Sequence, residues 1–309
     1  ARRADSARQI AAAAFAAAVI VAGPATVHAT QVGHPEEVLA TVLATGAVIS
    51  ASAERKGWAA VLLGLAIGSK QWALLATPCV LLALPDHRAA VAVRAGLIAA
   101  AAIVVLPLAS PAAFAHADAS VGNLKTSDPF SIWWPISPRP FGAVHVFTAR
   151  FLPLNFTRSE AAALALGIAT TALCVYGRRI GAGWMPRVDG LALLALLGLL
   201  RCVCDPDPLT YNLVAVVIPL AVWEAGVRRR LPIVSAAVWG LLALLPSGGN
   251  AFDAGLNPVF GQPAAVVLWL TAMVALGCYL ARSSFAAPAT ERAPVAIPAL
   301  PLQAATKHA

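Results

Sequence analysis

Residues Trp58 to Leu84, WAAVLLGLAIGSKQWALLATPCVLLAL, place Lys70 and Gln71 at the centre of an otherwise apolar run. A bare cation at mid-bilayer costs roughly 2.5 to 3.5 kcal/mol even on lenient insertion scales, so such a charge faces a partner, a cavity or a ligand. Drawn as one helix the block would be about 40 Å long, against a hydrocarbon core of ~30 Å. Two half-helices folded back on each other, with Gly68, Ser69 and Lys70 near the turn, fit that thickness. Irregular backbone at membrane depth needs protein or a watery cavity around it. The alternative is a single long tilted span, which would invert the segments before it.

The rest of the chain repeats the pattern. Hydrophobic residues make up 60% of it and charged residues 12%. Apolar segments run at about 9 to 25, 38 to 53, 89 to 108, 159 to 177, 189 to 204, 209 to 226, 231 to 246 and 264 to 281, several near the ~20 residues that a bilayer requires. The expected fold class is therefore an all-α polytopic membrane protein, a bundle of about eight spans plus the re-entrant hairpin. The formal charge of +8 would suggest nucleic acid in a soluble chain, but here the basic residues sit beside apolar spans and serve as the orientation signal. With Arg2, Arg3 and Arg8 cytoplasmic, Arg55, Lys56, Arg178, Arg179, Arg228 to Arg230 and Arg282 fall on the same side. Asp86, His87 and Arg88 join them only if the 58 to 84 block enters and leaves on one face.

The outer loops are then 26 to 37, 109 to 158, 205 to 208 and 247 to 263. Loop 109 to 158 exceeds an ordinary connection, and long loops are functional or disordered. Its Phe130, Trp133, Trp134, Pro135 and Phe141 suit a short helix at the lipid headgroups, where indoles anchor; substrate contact by Trp133 and Trp134 is the other reading. The tail from 283 to 309, rich in Ala and Pro, reads as a disordered cytoplasmic extension of a membrane domain over 1 to 282. Five cysteines, odd in number and without CxxC spacing, predict neither a disulfide framework nor a zinc site, and Cys202 and Cys204 read as packing residues.

Three constellations beyond Lys70 can carry chemistry. Gly33-His34-Pro35-Glu36-Glu37 delivers two carboxylates and an imidazole to a helix start. Acids there are ordinary dipole-favoured caps, or one of them is a general base. In Leu200-Arg201-Cys202-Val203-Cys204-Asp205-Pro206-Asp207, followed by Tyr211 and Asn212, Arg201 either pairs with the aspartates or meets a planar anion such as phosphate. Trp223 and Glu224, before three arginines, read as a cytoplasmic interface anchor. No Walker loop, dinucleotide glycine motif, metal-spaced histidine cluster or nucleophile elbow is present in the sequence. A membrane cavity, an outward acidic patch and buried cations suit group transfer from a lipid phosphate, with cations stabilising the leaving phosphate.

Gly33 to Glu37, the Lys70-Gln71-Trp72-Ala73-Leu74-Leu75 segment after Gly64 and Gly68, Ile132-Trp133-Trp134-Pro135, and Leu200-Arg201-Cys202 leading to Asp205-Pro206, Tyr211, Pro219, Trp223 and Glu224 together resemble actinobacterial integral membrane proteins of glycosyltransferase family 87. These belong to the GT-C superfamily and are similar to polyprenyl-phosphate-mannose-dependent mannosyltransferases; the likeness covers about residues 30 to 226. It implies a GT-C fold and inverting transfer of a hexose, mannose foremost, from a polyprenyl-phosphate donor to a glycolipid or glycan acceptor on the outer face of a bacterial plasma membrane. Both termini would be cytoplasmic.

In that superfamily the base is an acid in the first outer loop, and none precedes Glu36 here. Either Glu36 or Glu37 serves, or a helix and acidic loop precede Ala1, which the usual length of the family favours. On this reading Glu36, Glu37 and His34 are catalytic, and Lys70 and Arg201 hold the donor phosphate. Gln71, Trp133, Trp134, Asp205 and Tyr211 contact substrate. The expected partners are membrane lipids, the lipid-linked donor and the acceptor, with no nucleic acid, no cofactor and no metal. The run after Asp205-Pro206 departs from the aromatic residues expected there. A lipid-carrier flippase or transporter would need the same cavity, although no internal repeat supports a transporter; an inactive envelope scaffold is a third reading.

Overall fold

A computed structural model describes residues 2–110, 125–127, 131–139, 150–179, 189–206, 210–244 and 262–285. They are almost wholly helical. The decisive block breaks where its charge lies. Helix α4 (Lys56–Ser69) ends at Lys70, whose backbone is extended at φ −151° and ψ 127°; a 3-10 turn (Gln71–Leu75) and α5 (Ala76–Ala83) follow. Pro78 sits in the first turn of α5, where its missing N–H costs nothing. At 14 residues α4 is about 21 Å long, too short for the ~30 Å core. The two arms return to one end: Lys56 Nζ lies 2.5 Å from Asp86 Oδ1 and 3.0 Å from His87 Nδ1. The fold-back expected from the sequence is thus the observed path of the chain, and the single long helix is not.

The hairpin is held by neighbours on both sides. Helix α3 (Pro35–Ser52) runs antiparallel to α4 across a short turn, so the start of α3 and the end of α4 share one end of the bundle, here the upper. Helix α6 (Arg88–Ala109) rises parallel to α4 on its other face. Gly64 and Gly68 set that contact: a Cβ on Gly64 would lie 2.7 Å from the Ala95 carbonyl and from Ile98, and one on Gly68 2.6 Å from Ala102. Small residues four apart let two helices approach this closely.

Helix α7 (Arg158–Arg179) descends, and α8 (Gly190–Cys204) rises through the centre. Every residue from Gly190 to Leu199 is buried, as expected of a helix apolar all round. Helix α9 (Val214–Val222), entered by a 3-10 turn (Thr210–Leu213), descends beside it and ends in a π-turn (Trp223–Val227). Helices α10 (Ile233–Leu244) and α11 (Gln262–Phe285) complete the bundle. The first arm is α1 (Arg2–Val21) and α2 (Pro24–Gln31), broken at Gly23 and Pro24. Among the described residues three stretches are long and apolar enough to cross a membrane: Ser6–Gln31, Arg88–Val105 and Val266–Phe285.

Several sequence readings need correction. The supposed outer loop 26 to 37 is largely helix, reduced to the turn Val32–His34 in which Gly33 takes φ +80°. Trp223 and Glu224 are no interface anchor, for both are fully buried. The Trp223 indole N–H donates to Asp189 Oδ2 at 2.7 Å, and the Glu224 carboxylate accepts from Arg230 and from the Val234 and Ser235 amides that open α10. An acid that satisfies free N–H groups at a helix start can be buried where a headgroup anchor cannot. The headgroup helix expected around Trp133 is a single 3-10 turn (Trp134–Ile136) beside the two-stranded pair β1 (Thr126–Ser127) and β2 (Arg150–Phe151). Phe130, Phe141, Asp207, loop 247 to 261 and the tail beyond Phe285 lie outside the described residues, and α11 continues through Ser283 and Ser284. Cys79, Cys202 and Cys204 are buried and unpaired, packing as small apolar groups.

Candidate functional site

At the upper end the fold-back meets the start of α3 and the end of α8. Glu37, in the first turn of α3, has a side chain only 4% exposed and is the hub. Arg201 forks onto it, Nη1 to Oε2 at 3.3 Å and Nη2 to Oε1 at 3.2 Å. The Trp72 indole N–H, from the turn after Lys70, donates to Oε2 at 2.7 Å. Lys70 Nζ stands 3.4 Å from Oε1. The Arg201 guanidinium also lies over the Trp72 ring, 4.7 Å from its centroid, and donates to Asn212 Oδ1 at 3.1 Å. A buried carboxylate with this many donors is tolerable because its charge is matched and its lone pairs are satisfied.

Glu36 differs from its neighbour in access. Its side chain is 35% exposed, and Lys70 Nζ at 3.0 Å and His34 Nδ1 at 2.9 Å meet Oε1. Burial opposes ionisation of this carboxyl, but the bonds to His34, to its own backbone N–H and to Lys70 outweigh it and hold the group below the usual glutamate range. The His34 ring stacks on Tyr211, with centroids 4.7 Å apart, and His28 from α2 approaches the same ring at 6.0 Å. The imidazole is thereby placed by an aromatic face on one side and a carboxylate on the other.

Of the residues singled out from sequence, the structure brings together His34, Glu36, Glu37, Lys70, Arg201 and Tyr211. Gln71 is exposed beside Lys70. Arg201 does not pair with Asp205: residue 205 is taken by Arg158, Nε to Oδ1 at 2.7 Å and Nη2 to Oδ2 at 2.9 Å, and Arg201 points across the bundle to Glu37. Asp205, 8% exposed, thus ties the start of α7 to the end of α8. Trp133 is buried, with its indole N–H on the Cys204 carbonyl at 2.9 Å; Ser131 Oγ reaches the Asp205 carbonyl at 3.1 Å. Trp134 lies under the Arg150 guanidinium, 3.6 Å from its centroid. These contacts dock Ser131 and Trp133 onto the upper end of α8, near Arg201.

Sequence reasoning assigned no role to Trp72, His28 or Arg158. Trp72 carried a usable signal: an indole two residues from a buried lysine needs an acceptor when it is covered. His28 had none, having been placed in a loop. No known protein family matches the chain, and no curated protein or solved structure is similar to it.

Proposed function

We propose that the protein is a multi-pass enzyme of the bacterial plasma membrane that moves a hexose from a polyprenyl-phosphate donor to a glycolipid or glycan acceptor on the outer face. In this reading the chain crosses the bilayer about eight times, with the fold-back as a re-entrant hairpin and the Glu36 and Lys70 end outward. The distribution of basic residues supports that orientation, since Lys56, Arg88 and Arg228 to Arg230 fall at the opposite end. The resemblance to glycosyltransferase family 87 supports the donor class.

The observation that carries the reading is the pairing of a partly exposed carboxylate, Glu36, with a lysine cation, Lys70 Nζ at 3.0 Å from Oε1. Glu36 takes the proton of the acceptor hydroxyl as that oxygen attacks the anomeric carbon. The bond between that carbon and the phosphate oxygen breaks with inversion, and the lipid phosphate leaves with the bonding pair. Lys70, 29% exposed, is the cation able to turn from Glu36 to the leaving oxygen. Arg201, forked onto Glu37 and Asn212, anchors the site instead of clasping the donor. His34, set by Tyr211, orients the carboxylate. The lipid-linked donor lies in the membrane and no soluble nucleotide is required.

Purified protein in lipid vesicles, incubated with radiolabelled polyprenyl-phosphate mannose and an envelope glycolipid fraction, tests this. Labelled acceptor that disappears with Glu36→Gln is the expected result. Intact donor translocated across the bilayer without sugar transfer would establish a flippase in its place.

A further inference from the structure

A second site lies on the flank of the bundle, away from the carboxylates. Helices α7, α8 and α11 border an open groove of about 590 Å³ whose walls include Leu173, Leu199, Val203, Met273, Gly277 and Arg282. That volume falls in the range of small-ligand sites. Nearly all of its lining is aliphatic, so it offers no hydrogen-bonding set for a sugar, a nucleotide or a peptide backbone. Along α11 it extends from Leu270 to Arg282, about 18 Å at the helical rise. Half of the ~30 Å hydrocarbon core is about 15 Å, the depth filled by one acyl chain. The surrounding surface is suited to lipid: Ile168 on α7 and Val267 and Val274 on α11 are each more than 60% exposed.

One charge closes the slot. Arg282 is exposed at its lower end and makes no ion pair among the described residues. The nearby Asp189, whose N–H donates to the Ser284 carbonyl, has its carboxylate on the Trp223 indole and the Ala192 amide. Arg228 to Arg230 lie at the same end, so a guanidinium at the mouth of an apolar slot adjoins a basic rim. The upper end, at Ile132 and Val203, has no cation in its lining. A bound lipid therefore places its headgroup at the Arg282 end, opposite to the Glu36 site.

We infer that this slot holds one acyl chain of an anionic phospholipid whose headgroup phosphate meets Arg282. The site does not depend on the transfer reaction. Aliphatic walls give little preference between the bulk bilayer and the slot, so selectivity comes from the headgroup charge. Gly277 provides the means to block it: a Cβ there would meet only Leu199 Cδ2, at 3.7 Å, so a larger side chain grows into the slot without clashing with backbone.

Native mass spectrometry of the full chain, released from micelles supplemented with phosphatidylglycerol or phosphatidylcholine at equal concentration, reads the occupancy. The wild type should retain phosphatidylglycerol with a preference of about fivefold, the value of one arginine at a headgroup. Arg282→Gln should abolish the preference, Gly277→Leu should abolish retention, and Arg55→Gln, at the same end but on another face, should change neither. Equal retention of the two lipids by the wild type, or equal loss in Arg55→Gln, would overturn the site in favour of a general surface charge. Photocrosslinking from a probe on Cys278, an exposed slot residue, should capture lipid. Capture of a peptide of this same chain, or of a polyprenyl carrier with its phosphate at the upper end, would likewise overturn it. Should Gly277→Leu fail to fold, Arg282→Gln and the crosslink decide alone.

Discussion

Glu36 and Glu37 are adjacent in sequence but differ in exposure and partners. Glu37 is buried and bound by Arg201, Trp72 and Lys70, so removing its charge leaves Arg201 uncompensated in the interior. Glu37→Gln should destabilise the protein by about 3 to 5 kcal/mol, the usual result of breaking a buried pair from one side, read as a fall in Tm in detergent. Glu36→Gln removes a partly exposed group and should lower Tm at neutral pH much less than Glu37→Gln does; if Glu36 is the general base, it should also lower transfer by about 10² or more. Because the Glu36 carboxyl ionises more readily folded than unfolded, its stabilisation is present above the ordinary glutamate value of 4.5 and is lost as pH falls through its folded value. The wild type should therefore lose more Tm than Glu36→Gln on acidification below about pH 4.5; parallel curves would show that His34 and Lys70 do not hold the carboxylate.

At the scale of elements, the packing of α4 on α6 depends on two missing side chains. Gly64→Leu would drive a Cβ to within 2.7 Å of the Ala95 carbonyl, a backbone atom that cannot yield cheaply. Overpacking of this kind costs about 1 to 3 kcal/mol, and because α4 carries the Lys70 turn, the substitution should also lower transfer, measured per folded protein. Gly57→Leu, where a Cβ would meet nothing within 4 Å, is the control. Most helices were legible in the sequence because apolar runs bounded by basic residues mark their own ends; α3, α6, α7 and α8 begin within three residues of their expected positions. The break at Ser69 and Lys70 was legible from length and charge together. Helix α2 was not, since Gly23 and Pro24 signal a stop although the chain resumes its rise one turn later. The partners of Arg201 were also hidden: Asp205 is four residues away in sequence, but Glu37, 164 residues distant, is the one the packing of α3 against α8 supplies. Buried ion pairs are decided by which helices touch, and a sequence pattern does not report that.

For the whole molecule, the two ends of the bundle have different chemistry. The lower end is basic, with Glu224 and Asp189 committed to helix starts and to Trp223; the upper end holds the carboxylate, lysine and histidine cluster, near the docked Ser131 and Trp133. That docking is fastened through Arg158 and Asp205, so Arg158→Ala should loosen it, raising proteolysis between residues 125 and 157 more than Tm falls. The division into two ends depends on one feature, the return of the chain at Lys70. Impermeant thiol labelling of Gly57→Cys and His87→Cys, each in a background carrying Cys174→Ser and Cys278→Ser and in sealed vesicles of known orientation, tests it most directly. The account predicts that both positions react from the same side of the membrane; reaction from opposite sides would mean that the 58 to 84 block crosses, and that Lys70 does not turn back to meet Glu36 and Glu37.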